Sequence, residues 1–192
     1  MLPSFSAEDS MLKKTIAFID GENLTIRYEA MVRDGFKPKA DVIHIQGSFV
    51  WAPRITLWSQ LDVIRVNYFT SVTGDDARVQ EVEKQIGAVE FRCEGATYSG
   101  TSKIIPRVHK KLANSRKTKV IDIDLTIDVM RAALTMPIDS IFLLSGDGDY
   151  IPLFREITRT NKQLYVGAFS SGIDERIRNS AEQFIDLDSM FF

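Results

Sequence analysis

Two short apolar runs that each lead into an aspartate constrain this chain more than any other feature. Residues 15–19 lead directly into Asp20, and residues 140–144 lead into a turn that contains Asp147. Runs of roughly 4–8 apolar residues are typical of strands that are buried on both faces of a parallel sheet. Because ligands bind beyond the carboxyl ends of such strands, we expect Asp20 and Asp147 to converge in one crevice.

Strand and helix patterns alternate along the rest of the chain. Strand patterns cover residues 61–68, 89–93, 163–169 and 184–187, and helical patterns cover residues 75–86, 125–134, 150–160 and 173–183. This alternation predicts an α/β fold with a mostly parallel sheet and helices on both faces. The length of 192 residues suits a single domain, which we assign to residues 13–192. We expect residues 1–12 to form a flexible N-terminal extension rather than a signal peptide.

Composition excludes several classes of protein. The net charge of −2 argues against a protein that coats nucleic acid, although it is compatible with a local basic groove. Cys93 is the single cysteine, so the chain forms no internal disulfide and we expect a cytoplasmic protein. No stretch approaches the roughly 18 apolar residues of a membrane span, so we expect no membrane partner. The sequence leaves a homodimer open.

The acids that follow the second apolar run indicate a metal site. Asp149 follows Asp147 by two residues, and Gly146 and Gly148 give this turn the freedom to bring both acids to one side. An aspartate before a helix is commonly an N-cap, which would explain one of these acids but not both together with Asp20. Clustered carboxylates repel unless a cation or a shared proton neutralises them, and all-oxygen ligands favour Mg²⁺ or Mn²⁺.

A third acidic patch contains Asp122, Asp124 and Asp128. Asp122 is the predicted metal ligand, and either Asp122 or Asp124 is expected to cap the helix at residues 125–134. Asp124 is otherwise expected to be a surface residue. Asp128 is open between a metal ligand and an ion pair with Arg131, three residues later.

A basic segment between residues 103 and 119 carries seven basic residues and no acid. A nucleic-acid backbone requires such a positive surface, whereas many charge runs are solvated loops or helix faces. The position of the segment directly before Asp122 favours the binding interpretation. Its basic residues are Lys103, Arg107, Lys110, Lys111, Arg116, Lys117 and Lys119.

Four segments together resemble the NYN domain, a branch of the PIN-like nuclease superfamily. The segments are residues 18–23 (opening motif), Lys119, Asp122, Leu125 and Asp128 (central motif), residues 145–150 (third motif) and residues 181–187 (closing strand). They occur in the order of the family and extend over nearly the whole chain. Among NYN proteins, the chain resembles the LabA-like group of bacteria.

The resemblance implies a PIN-like, Rossmannoid fold and endonucleolytic hydrolysis of RNA with Mg²⁺ or Mn²⁺. It implies an acidic catalytic set made of Asp20, Asp122, Asp147 and Asp149, which would hold the metal together with Asp128. Asn23 would lie near the metal or the phosphate and contact the nucleic acid. Two positions depart from the family pattern, because Val120 replaces a usual glycine and Asp124 replaces a small residue.

Two alternatives fit the same residues. Asp20 and Glu22 after a strand, together with residues 146–149, also resemble the motifs of haloacid-dehalogenase-like phosphatases, although Glu22 replaces the usual aspartate. Such a phosphatase would form a covalent aspartyl-phosphate at Asp20, which a nuclease would not. The second alternative is a catalytically weak module that binds RNA or a partner protein.

Overall fold

The two apolar runs form adjacent strands at the centre of a parallel sheet. The structure, a computed structural model, describes residues 12–57, 61–94, 99–111 and 119–192. Its strands are β1 (Lys13–Asp20), β2 (Ile43–Ile45), β3 (Phe49–Trp51), β4 (Leu61–Thr73), β5 (Glu90–Glu94), β6 (Ser99–Lys103), β7 (Ile105–Lys111), β8 (Ser140–Leu144), β9 (Gln163–Ala168) and β10 (Gln183–Asp186). Its helices are α1 (Gly21–Arg33), α2 (Asp76–Gly87), α3 (Lys119–Thr135), α4 (Ile151–Arg159), α5 (Glu175–Ser180) and α6 (Asp188–Phe191).

The main sheet has six strands in the order β10-β9-β8-β1-β4-β7, and every neighbouring pair is parallel. Two antiparallel pairs, β2 with β3 and β5 with β6, lie outside it. β1 therefore has β8 on one side and β4 on the other. The carboxyl ends of these three strands meet at one edge of the sheet, where parallel α/β folds bind ligands.

Alternate side chains of β1 pack into two hydrophobic cores, one on each face of the sheet. Ala17 and Ile19 belong to the core with α1 and α2, whereas Ile16 and Phe18 belong to the core with α3, α4 and α5. A strand covered on both faces needs apolar residues at successive positions, which explains the apolar run in the sequence. The predicted α/β fold, with a parallel sheet and helices on both faces, is confirmed.

Several elements differ from their predicted bounds. α3 begins at Lys119 rather than at residue 125, because Ile121 is buried in the same core as Leu125, one helical turn later. Asp122 and Asp124 therefore lie inside the helix, and the prediction that one of them caps it is wrong. β4 continues to Thr73, beyond the predicted end at residue 68.

The basic segment forms an edge strand over part of its length. Residues 105–111 are β7, which pairs with β4, where the sequence suggested a loop or a helix face as the alternative to a binding surface. Charged side chains on an edge strand hinder unwanted pairing with other chains, so a basic β7 is physically reasonable. Residues 112–118 lie outside the described residues, as do residues 1–11, so the N-terminal extension remains a prediction.

A β-bulge in β4 changes which side chains face α3. Thr15 of β1 pairs with Val63, but the next residue, Ile16, pairs with Arg65, so Ile64 is one extra residue on β4. A bulge of this kind bends a strand and turns the following side chains to the other face. None of the helices in the described part of the chain is long and apolar enough to cross a membrane.

Gly21, the first residue of α1, lies against β4 so closely that no side chain fits. A Cβ atom there would overlap the ring of Tyr68 and lie 2.8 Å from the carbonyl oxygen of Phe69. We expect Gly21→Ala to lower the free energy of unfolding by at least about 2 kcal/mol, because this contact is part of the core. Urea denaturation measures the change.

Gly87, the last residue of α2, offers a matched control. A Cβ atom at this position would lie 3.7 Å from the ring of Pro106, which is an ordinary contact. Gly87→Ala should leave stability unchanged or raise it by up to about 1 kcal/mol, because alanine favours the helix. Equal stabilities for Gly21→Ala and Gly87→Ala would contradict this account of the α1–β4 contact.

Candidate active site

Asp20 ends β1 and is also the N-cap of α1. Its Oδ1 accepts the backbone N–H of Asn23 at 3.0 Å, and its Oδ2 accepts the hydroxyl of Ser145 at 2.9 Å. The first N–H groups of a helix have no partner within the helix, so this carboxylate stabilises the start of α1. Asp20 is only 4% exposed, which is rare for a carboxylate that has no basic partner among these contacts.

The turn after β8 is tied to α1 by further hydrogen bonds. The amide of Gly146 donates to Oδ1 of Asn23 at 3.1 Å, and the amide of Asp147 donates to Oγ of Ser145 at 3.1 Å. The carboxylate of Asp147 accepts the amide of Asp149 at 3.0 Å. The backbone of this turn is therefore fixed relative to Asp20, and Asp147 is directed by its own local bond.

A cleft of about 180 Å³ lies at the carboxyl ends of β1 and β8. Three aspartates from three separate segments line it: Asp20, Asp122 and Asp147. Its other lining residues are Glu22, Asn23, Ile26 and Arg27, all from α1. We refer to these seven residues as the acidic cleft. The predicted convergence of Asp20 with Asp147 is observed, and Asp122 joins them.

Tyr150 holds the third aspartate in place. Its hydroxyl donates to Oδ1 of Asp122 at 3.1 Å, and its ring is buried with Leu125 under α3. Burial raises the pKa of Tyr150, and the negative charges of Asp20 and Asp122 raise it further. Tyr150 therefore stays protonated and acts as a donor to Asp122 throughout the physiological range.

Burial and the repulsion between neighbouring carboxylates raise the pKa of Asp20. Desolvation raises the pKa of Asp20 from 3.8 to about 7, and the charges of Asp122 and Asp147 add to the rise. The hydrogen bonds from Asn23 and Ser145 oppose this shift but do not cancel it. A cation bound among the three carboxylates would offset the repulsion between their charges.

The donor set of the acidic cleft fits Mg²⁺ or Mn²⁺, since carboxylate oxygens are the ligands that hard cations prefer. Within the described chain, no three His, Cys, Asp or Glu side chains are already close enough together to hold a metal. The three aspartates instead accept hydrogen bonds from the protein. A carboxylate has about four lone-pair sites, so accepting a hydrogen bond does not by itself prevent a carboxylate from binding a cation.

The sequence matches the family model of the NYN domain over residues 14–188. The chain belongs to the NYN domain family. NYN domains are part of the PIN-like nuclease superfamily, so the nuclease resemblance of the motifs is confirmed, and the phosphatase alternative gains no support.

In three dimensions, this NYN domain is similar to the crystal structure of a protein of unknown function from Vibrio parahaemolyticus RIMD 2210633. The TM-score is 0.61 at 17% sequence identity, and the match covers 95% of this chain and 97% of that chain. At this identity the likeness bears on the fold alone. No curated protein matches the chain.

The other predicted acids of the NYN domain lie outside the acidic cleft. Asp149 is exposed in the 3₁₀ turn Gly148–Tyr150 that follows β8. Asp124 is 3.1 Å from Nε2 of His109 on β7. Asp128 pairs with Arg131 at 2.6 Å and with Arg107 at 3.6 Å, so the ion-pair alternative for Asp128 is observed.

The basic residues predicted to bind nucleic acid are spread over three elements. They are Lys103 on β6, Arg107, Lys110 and Lys111 on β7, and Lys119 at the start of α3, while Arg116 and Lys117 lie outside the described residues. Lys111 pairs with Glu22 and so lies beside the acidic cleft. Lys110 is 2.7 Å from Asp76 of α2, at the exposed edge. The described basic residues of this segment therefore do not form one continuous face, and Lys111 is one that lies beside the acidic cleft.

Sequence reasoning missed several residues that shape the site. Ser145 and Tyr150 lie inside the third motif, but their hydrogen bonds to Asp20 and Asp122 depend on the tertiary fold. Arg27 follows Asn23 by four residues, a spacing that puts both side chains on one face of a helix. Recognition of α1 in the sequence would therefore have placed Arg27 beside Asn23. The Nε atom of Arg27 is buried without a hydrogen-bond partner among the described residues.

Stability in metal-free buffer should fall as the pH rises from about 4 to 7. The folded-state pKa of Asp20, about 7, exceeds its ordinary value of 3.8, so the folded state binds the proton more tightly than the unfolded state across this window. The loss should reach a few kcal/mol and be complete above pH ~7. Asp20→Asn should remove most of this dependence and be more stable than the wild type at pH 8.

Urea denaturation in EDTA across this pH range makes the measurement. Asp75→Asn is the matched control, because Asp75 caps α2 in the same manner but is exposed. This control should keep the pH dependence of the wild type. A wild type and an Asp20→Asn variant that share one pH profile would show that burial of Asp20 does not shift its pKa in the proposed direction.

Proposed function

We propose that this NYN domain is a metal-dependent endoribonuclease that hydrolyses RNA phosphodiester bonds in the acidic cleft. The observation that carries the proposal is the buried carboxylate of Asp20, whose pKa of about 7 reflects burial and two further aspartates in the same cleft. Such a cluster lowers the stability of the fold, and proteins usually keep one only where function requires it. Membership of a nuclease superfamily supports the same activity.

In this proposal Asp20, Asp122 and Asp147 hold Mg²⁺ or Mn²⁺. A bound cation would activate a water molecule and neutralise charge on the phosphate. Tyr150 fixes the direction of Asp122, and the amide of Asp149 fixes that of Asp147. The three carboxylates are therefore positioned before any ligand arrives, which lowers the cost of assembling the site.

Asn23 and Arg27 suit the phosphate side of the cleft. Oδ1 of Asn23 accepts the amide of Gly146, so its NH₂ group is the end that remains to donate to a phosphate oxygen. Arg27 presents a guanidinium to the same cleft, and a planar guanidinium binds phosphate oxygens in a bidentate manner. The two side chains lie one helical turn apart on α1 and line the cleft together with the three acids.

The remaining predicted site residues have different places in this proposal. Asp128 is left out of the metal set, because its two arginine partners already neutralise it. Asp149 remains a predicted member of the acidic set, and its exposure places it outside the buried part of the site. Lys111 is proposed to attract the RNA backbone beside the cleft. The cytoplasmic location and a homodimer stay predictions.

Asp122→Asn should abolish Mg²⁺-dependent RNA cleavage and cost less than about 1 kcal/mol of stability. The reason is that asparagine still accepts the hydroxyl of Tyr150 but loses the charge that holds the cation. Asp124→Asn, two residues away on the same helix, is the matched control and should cleave normally, because Asp124 contacts His109 instead. Cleavage of single-stranded and structured RNA, with Mg²⁺, Mn²⁺ or EDTA, makes the comparison.

If Asp122→Asn cleaves normally while Asp124→Asn is folded and inactive, the choice of ligand on α3 is wrong. If the wild type binds RNA but cleaves none with either ion, the catalytically weak binding module is correct instead.

Mn²⁺ binding should weaken at least about tenfold in Asp147→Asn, because the cation loses one of its three charged oxygen donors. Asp139→Asn is the control, since Asp139 precedes β8 at the opposite end of the sheet and accepts the amide of Lys14. Isothermal titration calorimetry measures both affinities at pH ~7.5. Equal affinities for the wild type and Asp147→Asn would remove Asp147 from the metal site.

A further inference from the structure

A second cleft, of about 170 Å³, lies on the α3 side of the sheet, between β4, β7 and α3. Three arginines from these three elements line it: Arg65 on β4, Arg107 on β7 and Arg131 on α3. Asp128 and Asn67 also line it. We refer to these five residues as the arginine cleft. It is separate from the acidic cleft, and the proposed function does not use it.

The charges of the arginine cleft do not balance. Asp128 accepts Arg131 at 2.6 Å and lies 3.6 Å from Arg107, so one carboxylate faces two guanidinium groups. The guanidinium of Arg65 has no carboxylate partner among the described residues, and its one polar contact is the sulfur of Met136 at 4.0 Å. Three positive charges against one negative charge leave a net charge of +2, which suits an anion.

Asn67 adds a neutral polar side chain to the arginine cleft. It is only 6% exposed and lies on β4, two residues after Arg65. Because Asn67 lines the arginine cleft, its NH₂ group can donate to an anion held beside the guanidinium groups.

The β-bulge in β4 builds this arrangement. Val63, before the bulge, is buried in the core on the α1 side of the sheet. Without Ile64 as the extra residue, Arg65 and Asn67 would share the face of Val63. With it, both side chains point toward α3, where Arg107 and Arg131 approach from β7 and the helix. An inserted residue that moves an arginine and a buried amide into one cleft is characteristic of a functional site.

The arginine cleft is connected to the acidic cleft along β7. Arg107, His109 and Lys111 alternate on this strand and pair with Asp128, Asp124 and Glu22 in turn, and Glu22 lines the acidic cleft. On α3, Asp122 and Asp128 are six residues apart, which is roughly 9 Å along the helix axis. The two clefts are thus neighbours on one surface, with basic side chains between them.

We propose that the arginine cleft binds a backbone phosphate of the RNA strand whose scissile phosphodiester lies in the acidic cleft. Guanidinium groups bind phosphate oxygens through paired N–H donors, and the NH₂ group of Asn67 donates from the floor of the cleft. Asp128 acts as a positioning residue, because it holds Arg107 and Arg131 at the sides of the cleft. The identification of the bound strand as RNA rests on the proposed function, whereas the binding of phosphate by the arginine cleft does not.

Binding of inorganic phosphate in EDTA tests the site without reference to cleavage. The affinity is measured by nitrogen-edited NMR, in which the side-chain NH₂ signal of Asn67 should shift on titration. Arg65→Gln breaks no ion pair of the described chain and should weaken phosphate binding by roughly tenfold or more. Arg54→Gln is the matched control, since Arg54 is exposed beside Asp41, outside both clefts, and should bind phosphate as the wild type does.

Asn67→Leu separates a binding role from a structural one. Leucine has the same number of side-chain heavy atoms but no N–H donor, so this variant should unfold at the same temperature as the wild type or higher while binding phosphate more weakly. A lower unfolding temperature with unchanged phosphate affinity would assign Asn67 to the structure and overturn its part in the site.

The source of the phosphate is tested with RNA in the Asp147→Asn background, so that cleavage plays no part. Adding Arg65→Gln should weaken binding of a single-stranded RNA about fivefold or more and reduce the salt slope by about 1. If phosphate affinity falls but RNA affinity does not, the cleft binds a small anion and the RNA assignment is overturned. If Arg65→Gln changes neither, the arginine cleft is not a phosphate site, whatever the outcome of the cleavage assays.

Discussion

The structure depends on a carboxylate that is buried at the end of its central strand. Asp20 accepts hydrogen bonds from the first turn of α1 and from Ser145 after β8, so it joins three elements at one point. The same burial raises its pKa to about 7 and makes it the centre of the acidic cleft. Asp20 therefore accepts hydrogen bonds that stabilise the fold. Its burial near two other carboxylates also has an electrostatic cost, which a bound cation would remove. This conflict is common at functional sites and rare elsewhere.

α3 and β7 divide their charged residues between two places on the same face of the sheet. Asp122 points to the acidic cleft under the control of Tyr150, whereas Asp128 is held by arginines. Residues six apart on a helix face directions that differ by about 120°, so Asp122 and Asp128 point to different parts of the surface. His109 and Asp124 lie between the clefts and are in contact with each other. Helix geometry, more than residue type, thus decides which acid of the third patch lines the acidic cleft.

The sequence predicted the features that depend on continuous local patterns. The runs before Asp20 and Asp147 identified β1 and β8, and their neighbouring positions in a parallel sheet predicted the convergence of the two acids. α1 was not predicted, although Leu24, Tyr28 and Met31 are buried at helical spacing. The hydrogen bonds of Ser145 and Tyr150 could not be predicted, because they join segments that are far apart in the chain. The arginine cleft could not be predicted either, because a single bulge residue reverses the faces of β4, and nothing in the alternation of residues 61–68 reveals it.

The register of β1 and β4 explains how two polar clefts coexist on an otherwise apolar face. Phe18 pairs with Asn67, and Asp20 pairs with Phe69. These four side chains share one face of the sheet, with the two aromatic residues on one diagonal and the two polar residues on the other. Phe18 and Phe69 belong to the core under α3, and they separate the buried carboxylate from the buried amide. Strand spacing puts the two polar residues roughly 8 Å apart on the diagonal. Opposite chemistry can therefore operate at close range, with a cation favoured beside Asp20 and an anion beside Asn67. A polyanion that crosses this square would meet a metal at one end and arginines at the other, which is the order that cleavage of a held strand requires.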